Sequence, residues 1–152
     1  RPRPNLEQQM TTHFSTPVIT YETAARAVAL VMDAAAAAGV RAVATVVDPS
    51  IIIVALGKAD GAPPHSLETS RRKAITAAST RKPSGAMPAA LAVAMEHGTG
   101  GLLSSIHGGF PIVFDGVLVG GLGVAGGTPP QDAEIALAAL TALGADTEGF
   151  QA

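Results

Sequence analysis

The stretch GGFPIVFDGVLVGGLGVAGG, Gly108 to Gly127, constrains this chain more than any other part. It sets eight of the chain's seventeen glycines among strand-forming Val, Ile, Leu and Phe. Glycine weakens a strand, because it adds backbone entropy to the unfolded chain and packs nothing against its neighbours. Asp115-Gly116 divides the stretch into FPIVF and VLVGGLGV and is the strongest short hairpin signal present. Alternation along the second strand puts Gly121 and Gly123 on one face, with Gly120, Leu122 and Val124 on the other. Two adjacent bare positions admit either a closely packed helix or the floor of a ligand pocket. Strand physics alone favours the helix.

The remaining pattern supplies helices for that role. Helical spacing of Ala24, Val28, Val31, Met32 and Ala35 predicts a first helix over 22–38, capped by Thr20 and stopped at Gly39. VRAVATVVD (40–48) and IIIVALGK (51–58) are β-branched runs joined by Asp48-Pro49-Ser50, which predicts an antiparallel hairpin. Ser66 opens a second helix over about 67–80, with Leu67, Ser70, Ala74, Ala77 and Ala78 on one face and Arg81 and Lys82 at its cation-favouring end. A short third helix follows over Pro88–Glu96, then a loop over 98–109 with room for a short strand. Thr128 and Gln131 have capping-box spacing, Pro129 suits the first helical position, and Gly144 ends the last helix. Hairpins separated by helices predict one α+β domain over 16–152, with an antiparallel sheet of about five strands flanked by helices.

Composition narrows the function classes. The chain has 152 residues, a net charge of −2, no basic stripe and no Trp, which argues against nucleic acid. The absence of cysteine removes disulfides, thiolate metal sites, iron–sulfur clusters and cysteine nucleophiles. Its longest uncharged runs are broken by Gly, Pro, Ser or His, so no membrane span is expected and the protein reads as soluble. Only 14% of residues are charged while 47% are apolar. That balance predicts apolar surface buried against further copies of the chain or against a ligand. The opening RPRPNLEQQMTTHF lacks an apolar core of signal-peptide length, so Arg1–Ser15 is expected to be a flexible arm. The cytoplasm is favoured over secretion after loss of a leader.

Several segments together resemble one family. VVD at the end of the first strand, DGA after the second, RRKAITAA on the second helix, then GGFPI, DG, VGGLGV and GGTPPQDAEIALAAL are similar to the GlcG/HbpS haem-binding family. That family also occurs fused to PduO-type corrinoid adenosyltransferases. The resemblance runs from about Thr20 to Ala142 and is most specific from Gly108 to Asp132. It implies a profilin-like or PAS-like layer architecture, a symmetric oligomer, and haem binding with roles near redox sensing, haem handling or small-molecule catabolism. The family usually turns on glycine after the VVD aspartate, whereas this chain reads Asp48-Pro49-Ser50-Ile51, which alters the first hairpin. No invariant axial ligand is carried over.

Given the resemblance, His107 is the leading candidate iron ligand. It precedes GGFPI, where Gly108, Gly109 and Phe110 with Gly121 and Gly123 would let a planar ligand come close, and imidazole is a common axial ligand. The alternative is an exposed loop histidine. Lys73 matches the lysine of the family's KA-x-TA pattern. By default it snorkels to the surface, and otherwise it binds a propionate or substrate carboxylate, or acts as a base. Asp48 and Asp60 read as turn residues or polar pocket groups, and Asp132 as a first-turn anion favoured by the helix dipole. Arg71 and Arg72 read as solvated. His97 suits a helix C-terminus, Met95 the core, His65 a loop and His13 the arm. The four histidines lack zinc spacing. Gly126-Gly127-Thr128 resembles a phosphate-binding turn but lacks the Lys-Ser/Thr of a P-loop, and the capping box explains it. Ser104-Ser105 has no nucleophile-elbow context.

Two main readings follow. One is an oligomeric module that takes haem or a similar planar ligand, with His107 on the iron and Lys73 on a carboxylate. The other is a cofactor-free isomerase, lyase or hydrolase for a small carbonyl or carboxylate substrate, using Lys73, His107 or Asp48 to move protons. An aromatic content of 3% weighs against the first, because haem pockets usually stack rings on the porphyrin. A ligand-free assembly subunit is the third possibility.

Overall fold

The computed structural model describes residues 11–152. The first ten residues of the expected arm lie outside that range, and 11–15 are exposed and without regular structure. Four helices and four strands follow in the order α1 (Tyr21–Ala37), β1 (Val43–Val47), β2 (Ile53–Lys58), α2 (Ser66–Thr80), α3 (Ala89–Gly98), β3 (Gly109–Phe114), β4 (Val117–Ala125) and α4 (Pro129–Leu143). The strands form one antiparallel sheet in the order β2-β1-β4-β3. It has four strands where about five were expected. The loop after α3 contributes none, because Gly100 and Gly101 turn it with φ of 62° and 81°.

Helix ends follow the local signals. Thr20 Oγ1 accepts the Thr23 N–H, and at α4 Thr128 and Gln131 complete a capping box with Pro129 behind it. One expectation shifts: α2 begins at Ser66 itself, with His65 in the cap position and no side-chain cap bond. The turn after β1 also differs from a glycine turn. Ile51 adopts φ 62°, and Asp48 Oδ1 holds the loop by accepting the N–H groups of Ser50 at 2.8 Å and Ile52 at 3.1 Å. Asp48 is therefore a turn residue with its carboxylate engaged.

The sheet separates two unequal cores. Helices α1 and α4 pack against each other and cover one face, where Ala44, Val46, Phe110, Ile112, Leu122 and Val124 join Val31, Ala136 and Leu140. On the other face α2 crosses β1, β4 and β3 alone, over a smaller cluster of Val47, Ala74, Ile75, Ala78 and Leu103. The bare glycines lie beneath it. A Cβ on Gly121 would stand 2.9 Å from Ala78 N, and one on Gly123 would stand 2.6 Å from Ala74 N. Real side-chain carbons rarely approach backbone so closely. The α2 backbone thus occupies the space over Gly121 and Gly123, and neither floors a pocket. A hydrogen bond of 2.8 Å between Thr45 and Ser70 ties the same helix to β1.

Candidate functional site

Close seating of α2 drives one long side chain into the protein. Lys73 is 1% exposed, and its ammonium donates to Val124 O and to Asp132 Oδ2, both at 2.8 Å. It does not snorkel, because the helix lies too near the sheet and a carboxylate from the first turn of α4 meets it. Asp132 is 2% exposed and its other oxygen accepts the Gly127 N–H at 2.8 Å. Burial pulls the Lys73 ammonium below the usual lysine range, opposed by the adjacent Asp132 carboxylate. The carboxylate partner of Lys73 is therefore part of the fold. Asp132 was legible only as a dipole anion, since its partner lies 59 residues away.

The pair floors a cleft of about 110 Å³, which Ser66, His65, Thr69 and Gly127 also line. His65, Thr69 and Ile106 continue into an outer groove of about 390 Å³, bordered by Arg72, Glu96 and Leu103. Arg71 and Arg72 both hold Glu68, at 2.6 and 2.8 Å, and keep its carboxyl at about 2. Glu96 accepts the backbone N–H and the hydroxyl of Ser105, which hold its carboxyl below the usual range.

His107 opens elsewhere. The loop carrying it is pinned by buried Ser84, whose hydroxyl donates to Ile106 O at 2.6 Å and accepts the Gly109 N–H at 2.8 Å. The His107 imidazole is exposed and lies over Gly85, where a Cβ would stand 2.9 Å from the ring. It borders a cleft of about 400 Å³ together with Arg81, Lys82, Ala86 and Phe150. Phe150 is set by Phe110, with ring centroids 5.7 Å apart and planes tilted by 48°.

The sequence-predicted residues therefore divide. Gly108 and Gly109 are buried: a Cβ on Gly108 would stand 2.9 Å from Lys73 Nζ, and one on Gly109 would stand 2.9 Å from Ser84 Oγ. Phe110 is 1% exposed and belongs to the core. Lys73 and His107 border different clefts, although Gly108 touches both neighbourhoods. Asp60 and His97 are exposed, and Met95 packs on the smaller core. Arg81, Lys82 and Phe150 were missed as partners of His107. Sequence showed the two cations only as a helix end, and Phe150 only as one of the five rings available to stack on a haem. Among the described residues no three His, Cys, Asp or Glu side chains are grouped to hold a bare metal ion, and no helix is long and apolar enough to cross a membrane.

Comparison with known proteins places these features in a family. Residues 19–141 match the family model described as haem degrading protein HbpS-like. The fold is similar to protein ORFY of Klebsiella pneumoniae, with a TM-score of 0.83 and 26% identity over 89% of this chain and 97% of that one. A double mutant of Streptomyces reticuli HbpS gives a TM-score of 0.79 and 27% identity over 94% and 99%. PduOC, solved as a complex with haem, shares the fold with a TM-score of 0.79 and 24% identity over 86% and 98%. No curated protein matches the chain in sequence.

Proposed function

We propose that this chain, which belongs to the HbpS-like family, binds haem in the cleft bordered by His107. The carrying observation is that an exposed imidazole, two cations and an aromatic ring converge there, on His107, Arg81, Lys82 and Phe150. These groups fit haem part by part. The imidazole would hold the iron, the cations would pair with the propionates, and the half-buried Phe150 ring would offer an apolar wall to the macrocycle. Gly85 makes room for the imidazole against backbone, which restricts where the ring points. Bound haem would supply one-electron chemistry at its iron, and the chain's own contribution would be to ligate, orient and pair charge.

The protein works as a homo-oligomer in this reading. Edge strand β2 leaves Ile53 and Leu56 exposed, and Ile52 just before it is 62% exposed. Unpaired strand edges with apolar side chains favour association.

Replacing Arg81 and Lys82 with alanine tests the propionate assignment. Two partly exposed ion pairs are together worth about a two- to thirtyfold change in hemin affinity. The double variant should bind that much more weakly with its Soret position unchanged, and the wild-type affinity should fall with added salt while the variant's does not. Equal affinity and equal salt dependence in both proteins would remove the two cations from the site.

A further inference from the structure

The cleft over Lys73 shares no lining residue with the His107 cleft. We infer that it is a second ligand site, built to take the carboxylate of a small organic acid. Three observations converge on that chemistry. First, Ser66 is 1% exposed, yet its hydroxyl has no hydrogen-bond partner among the described residues. Every described side-chain polar atom sealed from solvent is paired, so this hydroxyl opens onto the cleft that Ser66 lines. It is free because α2 starts at Ser66 and leaves the capping position to His65.

Second, the Lys73 ammonium carries three N–H donors and spends two, on Val124 O and Asp132 Oδ2. The third has no acceptor among the described residues, and Lys73 lines the cleft. Asp132 is fixed in place by Lys73 on one oxygen and the Gly127 N–H on the other. Third, Gly126 and Gly127 bring the start of α4 to the same wall, where the helix dipole adds positive potential. Two unspent donors beside a helix N-terminus call for an oxygen acceptor with negative charge.

Size selects among such acceptors. A room of about 110 Å³ equals that of about three or four water molecules. It admits a carboxylate and one or two further heavy atoms, and excludes a porphyrin. The opening past Ile106 into the outer groove, with Leu103 as an apolar wall, accommodates the tail of a short-chain acid. The site needs no bound haem and stands whether or not His107 ligates iron.

Sodium butyrate is a suitable probe, followed by amide NMR of the full chain with sodium chloride at matched ionic strength. Saturable shifts centred on Ser66, Thr69, Gly126 and Gly127 are expected. They should appear with butyrate and not with chloride. Ser66→Ala breaks no internal hydrogen bond, so the variant should keep its melting temperature while binding about tenfold more weakly, the worth of one charge-assisted hydrogen bond. Shifts that never saturate, that chloride reproduces, that centre on His107 and Phe150, or that survive Ser66→Ala unchanged would each overturn the assignment.

Discussion

One added methyl group tests whether α2 is seated as tightly as the glycines of β4 imply. A Cβ at position 123 would stand 2.6 Å from Ala74 N and 3.0 Å from Ser70 C, both backbone atoms of α2. Carbon atoms in ordinary contact are 3.5–4.0 Å apart, so the helix must retreat by about 1 Å. The retreat is not local. The same helix carries Lys73, 2.8 Å from both of its acceptors, and Ser70, 2.8 Å from Thr45. Overpacking costs about 1–3 kcal/mol, and breaking a buried ion pair costs about 3–5 kcal/mol, of which the loosened pair loses a part. Gly123→Ala should therefore lower stability by about 3–5 kcal/mol, which for a chain of this size corresponds to about 6–20 °C in Tm. Urea and thermal unfolding would measure it. Gly98→Ala is the control, since no atom lies within 4 Å of its added carbon and its site is helical; it should gain about 0.4–1 kcal/mol. A Gly123→Ala protein within 1 kcal/mol of the parent would refute the rigid contact.

Further outcomes follow from the same geometry. Lys73→Met strands Asp132 and should cost about 3–5 kcal/mol, whereas Lys73→Met with Asp132→Leu should recover most of it, leaving the Gly127 N–H and Val124 O without these partners; a double-mutant cycle in urea reads the coupling. Thr128→Ala removes the capping hydroxyl of α4 and should cost about 1 kcal/mol by thermal melt. Glu68 should titrate near 2, against an unfolded value of 4.5, in a carboxyl NMR titration. Its folded pKa is depressed, so its small contribution is present above about 4.5 and disappears as pH falls toward 2. A Glu68 midpoint near 4.5 would show that Arg71 and Arg72 do not hold it in solution.

Sequence made the local geometry legible and left the convergences hidden. Asp115-Gly116 and the Thr128–Gln131 box announced their turn and cap because each signal acts over a few residues. Gly121 and Gly123 announced a bare patch, and α2 was the helix that filled it. The fate of Lys73 was not legible. Its burial depends on Asp132 and on a backbone carbonyl of β4, contacts that span 59 and 51 residues and leave no periodic trace. The same holds for Phe150, which reaches the His107 cleft only because the chain after α4 folds back, with the Asp146 N–H on Val113 O at 2.8 Å. Ser66 misled for a different reason. Serine favours the cap, but the chain enters α2 one residue earlier through His65 and spares the hydroxyl.

In the proposed function, His107 presents its imidazole to haem iron. That role is tested most directly by titrating hemin into the parent protein and His107→Ala, followed by absorbance. A sharp Soret band that saturates at stoichiometric haem is expected in the parent, and a displaced, weaker band in the variant. Because His107 is exposed and outside the core, the two proteins should melt at the same temperature without haem. A weak shift that never saturates, or a spectrum that His107→Ala leaves unchanged, would contradict it.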